Sequence, residues 1–172
     1  MSYNWLKKET GPKVIVEAYK LFGIKEIVGP QHNPVILDWA KELGLEKVYN
    51  SDEIPWCGLY VAIVCKRAGK NVVKNPLWAR NWNNWGVPQK TAMLGDVLVF
   101  SRGSGGHVGF YVGEDAKCYH VLGGNQGNQV SVVRINKSRC IGIRRTKWKI
   151  RQPDNVRQIF LSDRGVISTN EA

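Results

Sequence analysis

The hydrophobic period of this chain changes once along its length, and that change constrains the fold more than any other feature. From Pro12 to Phe22 the apolar residues Val14, Ile15, Ala18, Leu21 and Phe22 recur at helical spacing, and Gly23 supplies a stop. A second helical stretch runs from about Asn33 to Leu45, with Ile36, Leu37, Ala40 and Leu43 on one face and Gly44 near its end. A third helix is predicted from Pro55, a residue favoured at the first helical position, through Cys57, Tyr60 and Val64 to Gly69. Cys57 then falls in its first turn. After the connection LWARNWNNWGVP the pattern alternates, which predicts strands at Asp96–Ser101, His107–Val112, Lys117–Leu122, Gln129–Arg134 and Cys140–Arg145. The turns SRGSGG, GED and GGNQGN separate the first four of these as hairpin punctuation. Helices first and strands second define an α+β domain, and 172 residues are enough for one domain with its own core.

The net charge of +11 favours anionic partners: nucleic acid, anionic polymers of a bacterial envelope, or the carboxylates of cell-wall peptides. Nucleic acid ranks lowest, because no recognised nucleic-acid motif occurs. No apolar run approaches the roughly 20 residues that span a bilayer, so no membrane span is expected. The N-terminus MSYNWLKKETGPKVIV lacks the apolar core and cleavage site of a secretory signal, so the expectation is synthesis in the cytoplasm. Cys57, Cys65, Cys118 and Cys140 show no CxxC spacing and read as independent thiols. The three histidines lack an HExxH arrangement, and neither a metal nor another cofactor is expected.

A thiol attacks a carbonyl as thiolate, and a helix N-terminus beside a histidine favours that form. Cys57 has the position, and its own N–H lies among the unpaired donors of the first turn, where an oxyanion would be held. Alternation in HVGFYV sets His107, Gly109 and Tyr111 on one strand face and Val108, Phe110 and Val112 on the other. The apolar set is expected in the core and His107 facing out of it, with Gly109 leaving room for substrate. A polar group must also fix the tautomer of the ring. Asn125 in LGGNQ is the first choice and His120 the second.

The segments SDEIPWCGLYVAIVCKRAG, LWARNWNNWG, LGDVLVFSRGSGGHVGFYVGED and YHVLGGNQGNQVSV resemble the NlpC-type and CHAP (cysteine, histidine-dependent amidohydrolase/peptidase) peptidoglycan hydrolases. They are most similar to a phage and prophage branch in which PWC, GHVGFYVG and LGGNQ recur in this order, and the likeness runs from about Lys8 to Arg145. The resemblance implies a papain-like fold, N-terminal helices on a central antiparallel sheet, and cleavage of an amide in bacterial peptidoglycan. It carries the nucleophile onto Cys57, the general base onto His107 and the orienting residue onto Asn125, and it leaves Asp96 in GDV a structural role. Here Gly58 follows the cysteine where a small Ser or Ala is usual, and the DCS triplet is lacking, with Pro55 and Trp56 before the cysteine. Asp52 and Glu53 are candidates for the substrate contact that triplet would supply. The resemblance further implies a phage or prophage lytic enzyme, released through a holin, carried in a virion, or injected as an antibacterial toxin.

Around the three catalytic candidates, Glu53, Trp56, Trp82 and Trp85 are the expected substrate contacts or cleft walls, together with Gly109, Tyr111 and His120 on the strands. Trp78 could join Trp82 and Trp85 in a sugar-stacking platform. Cys65, Cys118 and Cys140 read as packing thiols. The catalytic domain is expected over residues 1–146. Residues 147–172 are then a basic extension that is no separate domain and could hold the protein to anionic envelope polymers, with Ile159–Leu161 as a short packed patch and Asp163–Ala172 frayed.

Overall fold

A computed structural model describes residues 2–171; Met1 and Ala172, the outer ends of the expected domain and tail, lie outside the described residues. Three α-helices precede all the strands of a seven-stranded sheet, so the chain is α+β. Helix α1 (Lys13–Lys20) buries Val14, Ile15 and Ala18. In α2 (Pro34–Leu43) the Asn33 side chain accepts the Val35 N–H, Pro34 opens the helix, and Gly44 closes it at φ 72°. Helix α3 (Cys57–Arg67) is buried at every position from Cys57 to Cys65, as a helix enclosed on all sides must be. It starts two residues later than Pro55 suggests, and Cys57 is therefore its first residue.

The strands are β1 (Val87–Pro88), β2 (Val97–Arg102), β3 (Gly105–Glu114), β4 (Cys118–Gly123), β5 (Ser131–Asn136), β6 (Cys140–Arg145) and β7 (Ile167–Ser168). Their order across the sheet is β1-β6-β2-β3-β4-β5-β7, antiparallel throughout except for the parallel pair β5 and β7. Helix α3 lies between α1 and α2 on one side and β3 and β4 on the other.

Strand β3 feeds two cores. Val108, Phe110 and Val112 enter the main core under α3, and Tyr111 joins Leu98, Phe100, Val121 and Ile135 in a smaller one on the opposite face. Period-2 alternation therefore holds, but the face that carries His107 is not open: His107 pairs across the sheet with Phe100, and the ring centroids are 6.5 Å apart.

The segment after Lys147 packs on the same body. Arg157 forms an ion pair with Glu9, its carbonyl accepts the Leu94 N–H, and the Leu161 N–H donates to the Glu114 carbonyl. Phe160 of the expected apolar patch makes a single parallel bridge to Glu114 and is otherwise exposed. The end of the chain departs from the expected fraying. Two-residue β7 docks on β5, and Glu171 is buried in an ion pair with Arg139.

Candidate active site

Residues at the head of a helix have N–H groups without helical acceptors, and α3 turns two backbone donors toward the Cys57 thiol while β3 adds a third. The N–H groups of Val108, Gly58 and Cys57 itself stabilise the Cys57 thiolate, as does the positive charge of Arg102. Burial outweighs them and pushes the thiol pKa up from its ordinary value. Val108 follows His107 in the chain, so its bond ties the head of α3 to the strand that carries the imidazole.

Two close approaches bring these elements together. A Cβ on Gly58 would stand 2.1 Å from the Pro76 carbonyl, so the connection after α3 lies directly on the helix start. That crowding requires glycine at position 58. Gly124 likewise lies against Tyr60 and Trp56, where a Cβ would meet carbon atoms at 2.6 and 2.8 Å, and this seats the GGNQ loop beside α3.

His107 is fully buried, and burial lowers its pKa to about 4, against the opposing influence of Glu171 and of the Gln126 hydrogen bond. Its Nε2 lies 2.9 Å from Gln126 Oε1. The Gln126 Nε2 donates to the carbonyls of Val121 at 3.1 Å and Ser131 at 2.6 Å. Those two acceptors orient the amide with its oxygen toward the ring, so Nε2 of His107 carries the proton and Nδ1 presents a lone pair. Nδ1 is buried and has no hydrogen-bond partner. The arrangement is a neutral base with one nitrogen anchored and the other free, on the strand whose next residue, Val108, donates its N–H to the Cys57 thiol.

The ring partner is thus Gln126 and not Asn125. Asn125 has φ 55° and is buried, so it makes the left-handed turn from which Gln126 reaches back to the ring. His120, the second choice, does not meet His107. Its Nδ1 accepts from the Tyr3 hydroxyl at 2.8 Å, and its Nε2 bonds Asp115, which also pairs with Arg134.

Most of the expected substrate contacts are occupied by packing. Trp56 is buried with its Nε1 donating to Glu26, Trp82 donates to the Pro76 carbonyl and Trp85 to that of Asn71. These rings are core walls, and of the expected stacking platform only Trp78 is open, at 73% exposure. Gly109 leaves no room for a substrate, because a Cβ there would meet Val121 Cγ1 at 2.5 Å. Tyr111 is buried in the second core and donates to Glu114. Glu53 is exposed, whereas Asp52 is engaged by the N–H groups of Ile27 and Asn33 and by His32. Asp96 ties β2 to β6 through a two-point ion pair with Arg145.

A separate cavity of about 690 Å³, lined by Lys70, Trp85, Lys147, Trp148 and Arg151, opens at the far end of α3. The eleven residues of that helix place it roughly 16 Å from Cys57. Among the described residues no group of three or more His, Cys, Asp or Glu side chains is placed to hold a metal, and no helix is long and apolar enough to cross a membrane. In comparisons with known proteins, no family model and no curated protein matches this chain.

Proposed function

We propose that this protein is a papain-like cysteine hydrolase that cleaves an amide bond in bacterial peptidoglycan, with Cys57 as nucleophile, His107 as base and Gln126 as the residue that orients the base. The observation that carries the reading is the pair of roles at one ring: Nε2 is anchored by Gln126 while Nδ1 keeps a free lone pair, on the strand whose Val108 N–H holds the Cys57 thiol at the head of α3. The ordered motifs PWC, GHVGFYVG and LGGNQ supply the substrate class. His107 takes the thiol proton as Cys57 attacks the carbonyl, and the N–H groups at the head of α3 stabilise the oxyanion. The ring then gives the proton to the leaving amine. Water attacks the thioester with His107 again as base, which regenerates the thiol and releases the acid. The bond is either the amide joining N-acetylmuramic acid to L-alanine or a peptide bond such as the one between D-glutamyl and meso-diaminopimelate residues. A phage or prophage lytic enzyme acting on the wall after holin release, virion delivery or injection fits the same features.

Burial of both reacting groups, with a basic and aromatic cavity elsewhere, favours a second reading: a non-catalytic module that binds envelope polymers on the same fold. The two separate on Cys57→Ala. Loss of clearing of purified cell walls, with mass spectrometry of wild-type digests naming the bond cut, supports the hydrolase. Clearing that survives the substitution refutes it.

A further inference from the structure

The tail reaches both the loop that carries Gln126 and the end of β2. After β7 the chain returns to the sheet, and Glu171 is only 1% exposed. Its backbone carbonyl accepts the Gly127 N–H at 3.0 Å, in the loop that carries Gln126. Its carboxylate takes two bonds from the Arg139 guanidinium, at 2.8 and 2.9 Å. Arg139 is itself fixed to β2, since its Nε donates to the Ser101 carbonyl at 3.1 Å and its Nη1 to that of Ser168 at 3.2 Å. Ser101 follows Phe100, the β2 partner of His107. The Glu171 carboxylate accordingly lies within electrostatic reach of the imidazole, and each group favours the charged form of the other.

Apolar packing holds this tail weakly. Val166 is 91% exposed and Ile167 37%, and β7 is two residues long, so polar contacts hold the segment: the Arg139 fork on Glu171, the Gly127 N–H on the Glu171 carbonyl and Arg134 on the Gly165 carbonyl. A guanidinium fork fits a planar carboxylate at two points, whatever molecule supplies it. Cys57 and His107 are 3% and 0% exposed, so nothing reaches them unless a neighbouring segment moves. Glu171 can leave without stranding a buried charge if another carboxylate takes its place on Arg139.

We propose that Arg139 is the residue by which the Cys57–His107 site recognises a carboxylate on its substrate, and that Glu171 occupies that place in the resting chain as an intramolecular competitor. The inference rests on the hydrolase reading and narrows its substrate to an acidic peptide with a free carboxylate near the scissile amide. Stem peptides of peptidoglycan carry such groups, and amidation of the carboxylate would remove the recognised feature.

The test uses the full chain and reads alkylation of Cys57 by iodoacetamide, quantified by mass spectrometry, so no bond need be cut. Glu171→Ala is expected to be alkylated about tenfold faster than wild type or more, with Glu171→Gln between them. The tripeptide L-Ala-γ-D-Glu-meso-diaminopimelate should then protect Cys57 in Glu171→Ala, while its fully amidated counterpart should not. Arg139→Gln combined with Glu171→Gln avoids an unpaired buried charge, and in that variant the two peptides should no longer differ. Unchanged alkylation in a folded Glu171→Ala overturns the competitor role, and equal protection by both peptides overturns recognition by Arg139. Faster alkylation and selective protection without wall clearing would break the hydrolase reading alone.

Discussion

Two buried histidines stand on neighbouring strands, and their surroundings differ at one nitrogen. His120 has both ring nitrogens engaged, by the Tyr3 hydroxyl and by an aspartate already paired with Arg134. Burial lowers its pKa, against the pull of Asp115. His107 has a neutral amide at one nitrogen and nothing at the other. Complete pairing makes the first a structural joint. The unclaimed lone pair is what the base role proposed for the second requires, because a base must keep a lone pair that no resident donor has taken. Burial alone does not separate the two roles, since both rings are fully buried.

The sharpest way to break this comparison is to remove the anchor of each ring. Gln126→Ala should lower turnover on cell walls by on the order of 10²-fold, through loss of the tautomer that frees Nδ1, with wall binding retained. Activity equal to wild type would mean that Gln126 only packs.

Acid should tell the rings apart next. The folded pKa of His107 lies near 4, below the ordinary value of 6.5. The unfolded chain therefore binds a proton that the folded chain refuses, and stability falls as pH drops from about 6.5 to about 4. A shift of this size corresponds to about 3 kcal/mol over that window. Urea titrations at several pH values check it, and His107→Gln should flatten most of the slope. His120 contributes with the same sign. Asp115 does not enter this window: burial would raise its pKa, but Arg134, the Lys117 and Cys118 N–H groups and His120 hold it below the ordinary aspartate value, so its contribution is lost only at lower pH.

His120→Ala is expected to cost about 1–3 kcal/mol of stability, since it leaves the Tyr3 hydroxyl without its partner and opens a void. Turnover per folded molecule should stay near wild type. A loss of turnover at unchanged stability would move His120 into the mechanism.

What the sequence made legible was what period and local chemistry encode. Three helices and five strands followed from spacing, as did the position of Cys57 at a helix start and the face of β3 that His107 shares with Tyr111. Exposure was misread, because alternation assigns a residue to a face and not to water: Leu98, Phe100, Val121 and Ile135 build a second core on that side. The Trp82 and Trp85 rings met the same limit, since clustered aromatics look alike as cleft and as core. The Arg139–Glu171 pair left no local trace, being joined across 32 positions by charges that ordinarily sit on the surface. The hydrogen-bond partner of the His107 ring lies one position from the expected Asn125, because strand periodicity stops at Gly123 and Asn125 was set against His120 and not against its neighbour Gln126.

That last choice has its own signal, and the smallest of these predictions rests on it. Asparagine tolerates a left-handed backbone better than other non-glycine residues, and glutamine has the longer reach. Asn125 at φ 55° fits the first role, and Gln126 makes the bond to the ring. Asn125→Gly keeps the backbone geometry and removes the amide, so stability should change by only a few tenths of a kcal/mol, with turnover near wild type. Asn125→Ala should cost about 1 kcal/mol, because a Cβ without a compensating local hydrogen bond is strained at that φ. Thermal melts and wall-clearing rates on the two variants decide the matter. If Asn125→Gly loses turnover as Gln126→Ala does, the amide of Asn125 takes part in catalysis after all; if glycine is tolerated and alanine only destabilises, Asn125 serves as the turn and Gln126 as the anchor.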